Sequence, residues 1–303
     1  MKSLVIGYGS IGARHARLLG ELGCRTAVVS VREIDFQLTY SDLAKAVADE
    51  QPDYVVIANA TNQHHDTLEK LVHLGFCGTV LVEKQVFNHP LQVPPHSFQN
   101  VFVAYNLRFH PIILRLKSLL EGEEIISVQT DVGQYLPDWR PTTDYRSSYS
   151  ASAEQGGGAL RDLSHELDYL SWILGGWQRV IAIGGHFSSL EITTDDVFAL
   201  MLVTPECPIV TLQLNYLDRL TRRCILINTA SHTIEADLIK GTVTIDRDVE
   251  SFVTERNATY RAMHEAILTG NSDTLCSLED GLSTLRLIEA AEFSAKQEKW
   301  IAK

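Results

Sequence analysis

Apolar residues fall in short dense runs through the first third of the chain and in alternation through much of the remainder. Residues 2–6 form a brief apolar run that predicts a buried strand, followed by a glycine turn and a helical pattern through 13–22 that Gly23 closes. Residues 26–30 are a second β-branched run. The next strand, 54–58, is introduced by Pro52-Asp53, and a polar turn at 59–65 leads into a helix ending near Gly75. Strands at 79–83 and 101–104 follow. Strands alternating with helices of this length imply βαβ units on a parallel sheet, so residues 1–106 are expected to form one α/β domain.

The pattern changes near Tyr105. Residues 109–120 read as a helix, 125–134 as a strand, and 136–155 as a polar, aromatic-rich stretch without clear periodicity. One continuous helix is expected over 159–174. Period-2 segments then follow one another at 180–184, 197–204, 209–216, 223–229, 233–236 and 242–245. Short turns between such segments predict a largely antiparallel sheet in a second domain, residues 107–303. The chain ends in helices, of which 278–297 is the clearest.

Composition narrows the partners. A formal charge of −12 without a Lys/Arg cluster argues against nucleic acid and against an anionic membrane surface. Five scattered cysteines with no paired spacing argue against a disulfide framework or a structural zinc. No apolar run has the length of a signal peptide or a membrane span, so a cytoplasmic protein is expected.

The glycine turn carries the first chemistry. Gly7, Gly9 and Gly12 follow a strand and open a helix, the context that the dinucleotide fingerprint requires. Gly7 permits the turn, Gly9 lets a pyrophosphate approach the backbone, and Gly12 lets helix and strand pack closely. The helix start, with Ser10 and Ile11, offers amides and a partial positive charge to phosphate. At the end of the second strand stand Ser30 and Arg32, where an NAD site usually has Asp or Glu. A hydroxyl and a guanidinium suit a 2′-phosphate, so NADP is favoured over NAD, although Glu33 and Asp35 follow closely.

Three further segments, VVIANATNQH (55–64), the pair Glu83-Lys84, and GGGALRDLSHELD (156–168), resemble the Gfo/Idh/MocA oxidoreductases. YNLRFHP (105–111) and the closing helix are also similar to that family. The resemblance implies an N-terminal Rossmann domain and an α+β C-terminal domain with an open, mostly antiparallel sheet, with the active site between them. It implies a carbinol carbon of a sugar, inositol or sugar nucleotide as the reacting centre. It places Ala60, Thr61, His64, Glu83, Lys84 and Arg108 near the cofactor, Arg108 alternatively near substrate. Two departures stand out: Gln85 occupies the place where the family more often has Pro, and D-x-x-H replaces its D-x-x-x-H.

The residues themselves fit hydride transfer, which needs a group to take the hydroxyl proton and a cation near the developing alkoxide. Lys84 ends a predicted parallel strand, where open α/β sheets place ligands. Along 159–174, Leu160, Leu163, Leu167, Leu170 and Leu174 form one stripe, while Asp162, His165, Asp168, Tyr169 and Trp172 fall on the other side as a polar pocket wall. Asp162 and His165 are spaced to meet, making His165 the candidate acid/base and Asp162 its partner or a substrate ligand. Tyr135, Trp139, Arg140, Tyr145, Arg146 and Tyr149 decorate the long segment before the glycines and suit a sugar ring or its anionic substituents. His64-His65 lacks the partners for a metal, His64 is expected near the cofactor or in solvent, and the other histidines read as incidental. An open sheet is expected to be covered in a homodimer or homotetramer. Competing readings are a redox-assisted glycosidase or epimerase holding NAD, and a non-catalytic dinucleotide sensor.

Overall fold

The first apolar run forms β1 (Lys2–Ile6), and the helix after the glycine turn is α1 (Ser10–Glu21). β2 (Arg25–Val29), the two-residue β3 (Thr39–Tyr40), α2 (Leu43–Glu50), β4 (Tyr54–Ile57), α3 (His64–His73), β5 (Thr79–Val82) and β6 (Asn100–Val103) complete the N-terminal segment. These six strands are parallel in the order β3-β2-β1-β4-β5-β6, the Rossmann arrangement, with the order reversing between β1 and β4. Period-2 alternation divides each strand between two cores. Leu4, Ile6, Val55, Ile57, Val80 and Val82 pack with Ala46 of α2 and Leu68 and Leu71 of α3. Val5, Val28, Tyr54, Val56 and Leu81 face Ala16 and Leu19 of α1 instead. The protein is described here from a computed structural model covering residues 1–140 and 142–303.

Beyond Phe109 come α4 (Pro111–Leu119) and β7 (Ile125–Gly133), then a segment of short turns to α5 (Ala159–Asp162) and α6 (His165–Ile173). β8 (Arg179–Gly185), β9 (Val197–Val203), β10 (Val210–Asn215), β11 (Arg222–Thr229), β12 (Thr233–Asp237), β13 (Thr242–Ile245) and β14 (Asp248–Ser251) follow. Their sheet runs β14-β13-β12-β11-β7-β10-β9-β8, antiparallel at each pairing except β7 with β10. One face is buried; the other is concave and open, lined by Gln129, Asp131, Ile181, Ile183, Met201, Gln213 and Leu226. Both the α/β class of the first unit and the mostly antiparallel sheet of the second agree with the sequence reading.

The chain then returns. α7 (Ala258–Thr269) brings Met263 and Ile267 onto the α1 side of the first sheet, and β15 (Cys276–Ser277) pairs antiparallel with β6. α8 (Leu278–Gln297) follows, and β16 (Ile301–Ala302) adds antiparallel to β8. The two compact units are therefore Met1–Phe109 with Arg256–Leu285, and His110–Glu255 with Arg286–Lys303. A single boundary after residue 106 leaves out this return. Among the described residues no helix is long and apolar enough to cross a membrane.

Candidate active site

In the first unit the candidate residues gather at the carboxyl edge of the parallel sheet. Gly7 has φ of +95°, and a Cβ there would lie 2.6 Å from the Asn59 amide, so the turns after β1 and β4 touch. At Gly12 a Cβ would sit 2.1 Å from the Gly7 carbonyl, so only glycine lets α1 pack on the turn. Gly9 differs: nothing lies within 4 Å of the position a Cβ would take. It is the N-cap of α1, and the first intrahelical bond runs from the Ala13 amide to its carbonyl. The amides of Ser10, Ile11 and Gly12 therefore have no acceptor inside the helix. A positive helix end beside an unfilled glycine, where the strand order reverses, fits a dinucleotide pyrophosphate.

β2 ends at Val29, so Ser30 and Arg32 do follow the strand end. The Ser30 hydroxyl accepts from the Arg32 amide at 3.1 Å and donates to its carbonyl at 3.0 Å. That hydroxyl shapes the turn, while the Arg32 side chain is exposed. Ala60 and Thr61 open a short turn after β4, exposed and half-buried.

His64 corrects one expectation, since it is not in solvent: it is fully buried, with Nδ1 3.0 Å from the Gln85 carbonyl and Nε2 3.3 Å from that of Asn59. Burial pushes its pKa down, and a neutral imidazole donates from one ring nitrogen only, to the Gln85 carbonyl or to that of Asn59. Lys84 itself is half-buried, and the Lys84–Gln85 peptide is cis. Glu83 accepts from the Lys84 amide at 3.1 Å through Oε2 and faces His15 Nε2 at 2.8 Å through Oε1. Arg108 is buried, with Nη1 donating to Asp280 at 3.1 Å and to the Leu275 carbonyl at 3.3 Å, so its guanidinium anchors the returning segment.

In the second unit the expected continuous helix is broken. The Ser164 amide reaches back only to Arg161, at 3.4 Å, and Leu163 has φ −94° and ψ 24°, so α5 and α6 are separate. The leucine stripe is buried as predicted, but the break rotates the remaining residues off one common face. Asp168 and Tyr169 are buried, the latter donating to Glu166 Oε1 at 3.3 Å, and Glu166 pairs with Arg223 at 2.8 Å. Trp172 carries the Lys117 ammonium over its ring at 5.0 Å. The polar wall thus reduces to Asp162, buried at the end of α5, and His165, half-buried at the start of α6.

Asp162 accepts from the Tyr216 hydroxyl at 2.6 Å. Tyr149 leaves much of its ring exposed, yet its hydroxyl end is buried against the same carboxylate. Burial, and then Asp162, pushes both phenols well above the ordinary tyrosine range, so both remain donors. Asp195 lies beside this group, accepting from the Leu160 amide at 2.9 Å, and a Cβ on Gly158 would meet its Oδ1 at 2.2 Å. Burial raises the Asp195 pKa to about 6, with Glu292 and Asp162 adding to the effect. Trp139 stands edge-on to Tyr216 at 5.2 Å, and the Arg219 guanidinium lies 4.3 Å from the Tyr135 ring centroid. Arg146 is held by Asp144 and Glu191.

Sequence reasoning missed Asp195, Tyr216, His15 and His264. His15 had a signal, since it falls on the apolar stripe of α1 with Gly12, Ala16 and Leu19. Asp195 and Tyr216 had none, because they join α5 only through the folded sheet. Nor are the other histidines all incidental: His15 and His264 are fully buried, and His110 caps α4 with its pKa lowered to about 4 by burial and by Arg223.

Comparison with known proteins bears on the fold. Residues 113–236 match the family model of the GFO/IDH/MocA C-terminal domain. GenD2 from gentamicin A biosynthesis, solved with NAD, superposes with a TM-score of 0.81 at 20% identity, covering 100% of this chain and 96% of that one. The WlbA dehydrogenase of Bordetella pertussis, solved with NADH and UDP-GlcNAcA, gives 0.81 at 18% identity, covering 100% and 98%. Levoglucosan dehydrogenase, solved with NADH and L-sorbose, gives 0.84 at 14% identity, covering 100% and 98%. None of the curated proteins matches the sequence.

Proposed function

We propose that this chain, whose residues 113–236 match the GFO/IDH/MocA C-terminal domain model, belongs to that family and is a nicotinamide-dependent oxidoreductase acting on a sugar-type substrate. The observation that carries the proposal is the start of α1: three amides without helical acceptors, beside the open flank of Gly9, at the carboxyl edge of the sheet. Ser10, Ile11 and Gly12 would hold the pyrophosphate, Arg32 a 2′-phosphate, and the Ala60–Thr61 turn the neighbouring part of the cofactor. The similar structures solved with NAD or NADH support a dinucleotide, and Arg32 supports NADP as the preferred form.

When bound, the nicotinamide supplies or accepts the hydride at the carbinol carbon. The chain's own groups manage the oxygen. The Lys84 ammonium donates to the substrate hydroxyl oxygen and stabilises the negative charge that develops there as the hydroxyl proton leaves. His165 takes the hydroxyl proton during oxidation and returns it during reduction. Asp162, fixed by two phenolic donors, orients the substrate or the imidazole. Tyr135, Trp139 and Tyr149 supply aromatic surface for a sugar ring.

The test is a fluorescence titration with NADPH and NADH, followed by a panel of sugars and sugar nucleotides read by nicotinamide absorbance. Turnover with net cofactor change is expected, and Lys84→Met should lower kcat by about 10²- to 10³-fold while leaving cofactor binding intact. Failure to bind either dinucleotide would overturn the proposal. Bound cofactor with turnover but no net redox change would reassign the chain to redox-assisted glycoside or epimer chemistry.

A further inference from the structure

Beneath Glu83 a line of buried polar groups crosses the first unit. The Tyr54 hydroxyl is 3.0 Å from His264 Nδ1, His264 Nε2 is 2.8 Å from His15 Nδ1, and His15 Nε2 is 2.8 Å from Glu83 Oε1. Glu83 Oε2 then accepts the Lys84 amide at 3.1 Å. Tyr54, His264 and His15 are each 0% exposed. The four side chains come from four elements: the first residue of β4, the middle of α7, the buried face of α1, and the residue after β5. Tyr54 pairs with Thr79 and Ile57 with Val82, so the line runs from near the amino end of these strands to the carboxyl edge.

We propose that Tyr54, His264 and His15 form a one-directional hydrogen-bond chain that ends on Glu83 and through it positions Lys84. This rests on the reading of Lys84 as the group at the reacting oxygen. The direction follows from valence. A carboxylate only accepts, so His15 must donate from Nε2. A neutral imidazole has one donor and one acceptor, so His15 Nδ1 accepts and His264 Nε2 must donate to it. His264 Nδ1 is then an acceptor, and the Tyr54 hydroxyl supplies its proton. With both rings neutral, each group is satisfied in this one arrangement. Placing the His15 proton on Nδ1 instead would turn a bare Nε2 lone pair toward the carboxylate.

The surroundings favour a neutral His264 ring. Burial, and then His15, pushes the His264 pKa well below the ordinary histidine range. Burial likewise raises the Tyr54 phenol, with Cys24 and Glu83 acting in the same direction. Tyr260 stands edge-on to His15 at 5.6 Å, and the Arg14 guanidinium lies over that tyrosine at 5.0 Å. The consequence is that α7, far along the sequence, fixes the carboxylate that fixes Lys84. His15 and His264 are positioning residues; neither is assigned a contact with substrate.

The experiment uses the full chain and needs no substrate. Nitrogen-15 NMR of labelled histidines should show the proton on Nε2 of both His15 and His264. In Tyr54→Phe, which keeps the ring and removes the donor, His264 should keep its proton on Nε2, which His15 still requires, while its Nδ1 resonance shifts as the lone pair loses the hydroxyl. His15→Leu should speed hydrogen exchange of the Lys84 amide on the order of tenfold, with the Leu81 amide unchanged. His15→Gln, which retains a donor, should restore most of the protection. A proton on His15 Nδ1 in the wild type overturns the proposal, whether or not the leucine variant folds. So does equal acceleration of Leu81 and Lys84, which would make His15 a packing residue only. A parallel NADH titration of the wild type separates the two readings: no binding would sink the oxidoreductase assignment and leave the chain of donors standing.

Discussion

Asp195 is a carboxylic acid placed where ionisation is costly, enclosed beside Asp162 with its pKa at about 6. Because that value lies above the unfolded one, the folded chain holds the proton more tightly between about pH 4 and 6. Stability therefore falls as pH rises through this window, and the cost is complete above it. Asp195→Asn keeps an oxygen for the Leu160 amide and removes the charge. It should stabilise the second unit by on the order of 1–3 kcal/mol at pH 7.5 and leave it unchanged at pH 4. Thermal melts at the two pH values check this; equal effects at both would contradict it. Arg32 is the residue on which the proposed preference for NADP rests. Arg32→Ala should weaken NADPH binding about 10-fold or more, the scale of a lost charge-assisted bond, and leave NADH affinity nearly unchanged, as paired titrations would read. A parallel loss for both cofactors would show that it does not meet the 2′ position.

Among the elements, those built on a local rule were legible. β13 occupies 242–245 and α8 occupies 278–297 as periodicity predicts, and the other predicted strands shift by only a residue or two at their ends. The short β3 and the helix α2 went unread, although Asp42 caps α2 by accepting from the Lys45 amide at 2.7 Å. The break between α5 and α6 was invisible because leucine spacing continues smoothly across Leu163 and Ser164. Its cause is a hydrogen-bond shift at one amide, to which hydrophobic periodicity is blind. Half of the candidate site was legible in the same sense: the glycine turn, Lys84, Asp162 and His165 belong to short motifs. His264, Tyr216 and Asp195 meet their partners across 249, 54 and 35 positions respectively, and no local pattern encodes such meetings. The turn also separates two kinds of glycine. Gly12→Val should displace α1 and lower the melting temperature by several degrees, because the added carbons meet the Gly7 carbonyl. Calorimetry would show it, and an unchanged melt would mean that the helix yields freely.

For the whole molecule, the open sheet face of the second unit is the surface left to explain. Ile183 is 74% exposed and Met201 42%, both on the concave face. We expect a second copy of the chain to cover it, giving a homodimer or homotetramer. Light scattering should find more than one copy, and Ile183→Asp should shift the population toward monomer; a wild-type monomer would contradict this. The first unit is proposed to bind a nicotinamide dinucleotide through the start of α1, and Gly9 lies where that binding can be probed without disturbing the fold. A methyl group there meets nothing in the protein, so Gly9→Ala should fold and melt like the wild type. It would nonetheless stand where the pyrophosphate approaches. Titration of both proteins with NADPH and NADH should show saturable binding to the wild type, weakened about tenfold or more in Gly9→Ala. Equal affinity in the two proteins, or no binding to either, would rule out dinucleotide binding at this helix start.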